Sequence, residues 1–104
     1  MVNVYVDERF EQALDEAKEI DRILDDRSSP LSDRYTEEQA PFLGVPFAIK
    51  ESMQYPGFHN STGIAARKNF IATETAGAVG NMLRSGAILL CNTNVSEACM
   101  WFET

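Results

Sequence analysis

Apolar positions along the chain change their period twice, and each change predicts an element. Val2, Val4 and Val6 alternate with Asn3 and Tyr5, the two-residue period of a short strand with one apolar face. Asp7 is then in place to cap a helix. From Phe10 onward the apolar residues are Ala13, Leu14, Ala17, Ile20, Ile23 and Leu24, a spacing that lines one helical face, while Glu11, Asp15, Glu16, Lys18 and Arg22 fall elsewhere. Those carboxylates read as a solvated outer face and not as catalytic groups. Residues 27–41 hold Ser28, Ser29, Pro30 and Ser32 and sustain no period, which predicts a connecting loop with one capped turn at residues 36–39.

The second half is punctuated differently. Residues 42–49 are apolar enough for a strand, but Pro46 cannot donate to a ladder, so an edge position or irregular pairing is expected. Lys50 follows at once. Residues 57–63 form a turn-rich loop, and Thr75 can cap a helix running through Ala78, Val79, Met82 and Leu83 to a stop at Gly86. Residues 87–91 make the next strand. Strand, helix, strand in this order is a parallel crossover unit, which sets the fold class as α/β. It also brings Lys50 and the Asn92-Thr93-Asn94 turn to one sheet edge, where open parallel sheets bind their ligands.

Chemistry at that edge centres on Lys50. Lysine is the side chain whose protonation responds most readily to loss of water, so an amine at the end of an apolar run is a candidate base. The competing reading is a lysine that buries its methylenes and keeps its ammonium wet. Asn94-Val95-Ser96-Glu97 fits a capping box, and the segment it opens, Ala98-Cys99-Met100-Trp101-Phe102, reads as core packing, with the lining of an acyl pocket as the alternative. His59 is a lone loop histidine, expected to be exposed or bonded to backbone without a proton-transfer duty.

Composition narrows the partners. With 104 residues and 44% hydrophobic content the chain fits one small domain at most, and its net charge of -7 argues against direct nucleic-acid binding. No apolar run approaches the length of a membrane span, and no signal segment is seen. Cys91 and Cys99 lack the spacing of a metal or redox motif and read as buried free thiols, in keeping with an intracellular, reducing compartment.

Three segments together resemble the amidase signature family. They are Pro41-Phe42-Leu43-Gly44-Val45-Pro46-Phe47-Ala48-Ile49-Lys50-Glu51, then Gly57-Phe58-His59-Asn60-Ser61-Thr62-Gly63, then Arg84-Ser85-Gly86-Ala87-Ile88-Leu89-Leu90-Cys91-Asn92-Thr93-Asn94. Within that family, Cys99-Met100-Trp101-Phe102-Glu103 is most similar to the fatty-acid amide hydrolase branch. The resemblance implies part of an α/β/α sandwich and a Ser-Ser-Lys triad, with Lys50 in the lysine's place and both serines in downstream glycine- and serine-rich segments. None of Ser28, Ser29, Ser32, Ser52, Ser61, Ser85 or Ser96 has such a context.

By this resemblance residues 1–104 are the N-terminal fragment of an amidase domain: strand and helix at 1–26, loop at 27–41, and the lysine-bearing unit at 42–104. The implied substrate is a lipid-like amide, contacted near its carbonyl by Cys99 and Met100. No cofactor and no metal enter the chemistry. A lysine base requires an amine shielded from water, supplied by neighbours such as Val45, Phe47 and Ile49; in the fragment it is expected to stay wet and the chain inactive. Some positions depart from the family. Glu51 and Thr75 each stand where aspartate is common, and Cys91 and Asn92 replace a usual glycine and lysine. A glutamine amidase subunit of tRNA-dependent transamidation and a non-catalytic α/β interaction module are the alternatives. Cytoplasmic or membrane-associated placement, attachment through segments outside the sequence, and a homodimer all stay open.

Overall fold

The computed structural model describes residues 3–26, 28, 30 and 32–104. Val2 of the predicted alternation, and Arg27, Ser29 and Leu31 of the predicted loop, lie outside them. Five principal elements follow one another: β1 (Tyr5–Glu8), α1 (Phe10–Asp25), β2 (Pro46–Lys50), α2 (Gly77–Arg84) and β3 (Ile88–Thr93), with short 3-10 turns at Ser32–Tyr35, Ala65–Arg67 and Glu97–Cys99. The sheet has the order β1-β3-β2. β3 pairs with β2 in parallel, as the strand-helix-strand pattern predicts, and with β1 antiparallel. Pro46 sits on the outer strand of this sheet, and the β2 register shifts between Phe47 and Ala48. Both features suit a residue without an N–H.

β2 begins later than the apolar run suggests. Residues 42–45 form turns, with the Leu43 N–H donating to the Ala40 carbonyl at 3.0 Å and the Val45 N–H to Phe42 at 3.0 Å. Gly86 ends α2 as predicted, with a φ of +88°, and a Cβ there would lie 2.9 Å from Leu43 Cα. Only glycine permits both the left-handed backbone and that approach.

The core lies between one face of the sheet and α2. Ile49, Phe58, Val79 and Leu89 form its buried cluster, with Phe47, Met53, Tyr55 and Leu83 packed around it. On α1, Ala13 and Ile23 are buried and Ala17 and Ile20 half-buried, whereas Leu14 and Leu24 on the same predicted stripe are exposed. Arg9 anchors the start of α1. Its guanidinium donates to the Leu89 carbonyl at 2.9 Å, pairs with Glu16 and lies 5.7 Å from the Tyr55 ring centre.

Several capping expectations are corrected. Asp7 does not cap α1; the Glu8 carboxylate accepts from the Phe10 N–H at 2.9 Å, and Asp7 faces the loop at His59. Thr75 does not cap α2 either, because the helix starts at Gly77 behind Ala76, with no side-chain cap. The Asn94–Glu97 box is absent for a backbone reason. Ala98 and Cys99 adopt φ of 52° and 59°, which limits the segment to a single 3-10 turn, and the Asn94 N–H pairs with the Val4 carbonyl at 2.9 Å. The turn at residues 36–39 does form, closed by the Ala40 N–H on the Thr36 carbonyl at 2.8 Å.

Candidate active site

Lys50 is the last residue of β2, and its cross-strand partner is Thr93 at the end of β3. Strand alternation decides its surroundings. Ile49 points into the core, while Pro46, Ala48 and Lys50 share the other face and are exposed. The predicted shield of Val45, Phe47 and Ile49 therefore does not enclose the amine. Phe47 and Ile49 face away from it, and Val45 is itself exposed.

Directly after Lys50 the chain turns inward, with the Met53 N–H on the Lys50 carbonyl at 2.8 Å. Glu51 is 2% exposed, and its carboxylate accepts from the N–H groups of Ser61 and of Thr62, the latter at 2.7 Å. The Glu51 carbonyl accepts from Asn60 Nδ2 at 2.8 Å. A turn-rich loop must place its backbone donors somewhere, and a carboxylate beside it is the one signal in the sequence that could have revealed this. The loop is thereby tied to the end of β2.

A second polar cluster joins β1, the same loop and β3. Asn92 is fully buried; its Oδ1 accepts from the Asp7 N–H at 2.6 Å, and its Nδ2 donates to Asp7 Oδ2 and to the His59 carbonyl, each at 3.2 Å. His59 Nδ1 lies 2.8 Å from Asp7 Oδ1. The expected bond to backbone is replaced by side chains: the Asp7 carboxylate takes the His59 ring and N–H, and Asn92 Nδ2 takes the carbonyl. A carboxylate only accepts, so the ring nitrogen donates.

Cys91 is buried and Cys99 exposed, so only the first of the two thiols matches its expected burial. Burial pushes the Cys91 thiol pKa up, and the Glu8 charge adds to the rise. Cys99 ends the 3-10 turn after β3 and Met100 follows it, and Met100 and Phe102 are each 81% exposed. The Met100-Trp101-Phe102 cluster is therefore surface and not core. Trp101 and Phe102 stack with ring centres 5.0 Å apart, and Ser96 Oγ donates to the Trp101 carbonyl at 2.8 Å. Among the described residues no group of three or more His, Cys, Asp or Glu is placed to hold a metal, and no helix is long and apolar enough to cross a membrane.

Across residues 1–104 the chain matches the Amidase family, and it belongs to that family. It is 40% identical to fatty-acid amide hydrolase 2 of Homo sapiens over 104 residues, which is 100% of this chain and 19% of the relative. Fatty-acid amide hydrolase 2-A of Danio rerio is 36% identical over the same share of each chain. A solved structure, the inhibitor-bound form of a vestigial protein complex described as revealing the origins of an s-triazine catabolic enzyme, superposes with a TM-score of 0.68 at 23% identity. It covers 92% of this chain and 19% of that one, and it shows a shared α/β fold. The chain thus spans about a fifth of the length of these relatives.

Proposed function

We propose that this chain supplies the lysine of a Ser-Ser-Lys amide hydrolase acting on fatty-acid amides, and that residues 1–104 form the N-terminal part of its amidase domain. The observation that carries this reading is the place of Lys50, at the carboxyl end of a parallel strand beside Thr93, with its side chain on the open face of the sheet. The substrate class is supported by identities of 36% and 40% to fatty-acid amide hydrolases across the whole chain. Cys99 and Met100 would meet the substrate near its carbonyl.

In this mechanism a bridging serine relays a proton from the nucleophilic serine to the Lys50 amine as the amide carbonyl is attacked. The amine then returns it to the departing nitrogen, acting as base and then acid. Both serines come from polypeptide outside the 104 residues, and packing of that polypeptide over the exposed face would remove water from the amine. The test is hydrolysis of oleamide by the full-length protein. Lys50→Ala is expected to lower kcat by about 10²- to 10⁴-fold. An unchanged kcat in that variant, or turnover by residues 1–104 alone, overturns the reading.

A further inference from the structure

The mechanism uses Lys50 and leaves the next residue without a task, although Glu51 is the more deeply buried of the two. A carboxylate removed from water is costly unless strong donors meet it, and here the donors are the backbone N–H groups of Ser61 and Thr62. The turn these bonds hold is unusual. Thr62 and Gly63 both lie in the left-handed region, with φ of 55° and 70°.

What rests on that turn is unusual in the same way. The Thr62 carbonyl accepts from the Ala98 N–H at 2.8 Å, and a Cβ on Gly63 would lie 2.8 Å from the Ser96 carbonyl carbon. Ala98 and Cys99 are also left-handed, at 52° and 59°. The three non-glycine residues of positive φ among the described residues thus lie in these two contacting segments. Side-chain-bearing residues keep such backbone only where their surroundings impose it.

We propose that Glu51 is a positioning residue: by fixing the Ser61-Thr62-Gly63 turn it sets the place of the Ser96–Met100 segment relative to Lys50. Lysine and glutamate then act in succession along the chain, the first offering the amine and the second holding the turn on which the Ser96–Met100 segment rests. The consequence for turnover rests on the amidase reading above; the mechanical link does not.

The test uses Glu51→Gln and Glu51→Asp in the full-length protein, followed by amide hydrogen exchange and by oleamide kinetics. The glutamine amide turns a donor toward one of the two N–H groups, so exchange at residues 61–63 and 96–100 is expected to quicken about tenfold or more, with β2 and β3 unchanged. KM should rise about tenfold while kcat changes less than about threefold, and Glu51→Asp, which keeps the charge, should recover part of both effects. Unaltered exchange at residues 96–100 in Glu51→Gln overturns the proposal, as does an equal loss in the aspartate variant. If Glu51→Gln fails to fold, Gly63→Ala, which strains the left-handed turn and sets a Cβ 2.8 Å from the Ser96 carbonyl carbon, disturbs the same link, and unaltered exchange at residues 96–100 there overturns the proposal as well. Altered exchange together with a wild-type protein that hydrolyses no amide would sink the amidase reading and leave the link standing.

Discussion

Two cysteines eight positions apart in sequence have opposite fates, and the sheet explains why. Cys91 belongs to central β3, opposite Ala48 on one side and Glu8 on the other, and is 2% exposed. Cys99 lies on the left-handed turn beyond the sheet and is exposed. Because the thiolate is the reactive form and burial raises the Cys91 pKa, alkylation by iodoacetamide should label Cys99 first and Cys91 only as the protein opens. The sign for stability follows. The contribution of the neutral Cys91 thiol is fully present below the ordinary thiol pKa and is lost as pH rises through the raised folded value. Peptide mapping by mass spectrometry reads the order of labelling, and equal rates would contradict this burial.

Among the elements, β1 depends least on its own apolar residues. Val4, Tyr5 and Val6 are all exposed, so the predicted apolar face buries little. Its attachment is polar, through Asp7 to Asn92 and His59. Asn92→Ala removes the acceptor for the Asp7 N–H and the donor to the His59 carbonyl, and is expected to destabilise the protein by about 1–3 kcal/mol. In urea unfolding, a cycle with Asp7→Ala should show strong coupling between the two positions. Additive effects would mean that the cluster does not hold the strand. This also marks what the sequence could and could not tell. The unit of β2, α2 and β3 was legible because periodicity, Pro46 and Gly86 are local signals. The partners of Asp7 lie 52 and 85 positions away, at distances where no spacing rule operates. Likewise the bulk of Met100, Trp101 and Phe102 suggested core, but burial depends on what packs over a segment, and their sequence does not contain that.

At the scale of the whole molecule, shape and exposure point the same way. The radius of gyration is 15.9 Å, with extents of 51 × 28 × 24 Å, against about 13 Å for a compact domain of this length. The sheet ends on β2, whose outer edge is a template for further pairing, and the Pro46, Ala48 and Lys50 face is open. Trp101 is 66% exposed between two residues at 81%, far more apolar surface than isolated side chains scattered over a monomer would present. Residues 1–104 produced alone should therefore self-associate as concentration rises. As the chain has a single tryptophan, its emission reports on this patch without interference. A blue shift of that emission should accompany the appearance of larger species in size-exclusion chromatography with light scattering. Phe102→Glu should move both transitions to higher concentration while leaving the β2–β3 pairing intact, since residue 102 lies outside the core. A monomer with water-like tryptophan emission at every concentration would show that the exposed patch and the open edge do not drive association.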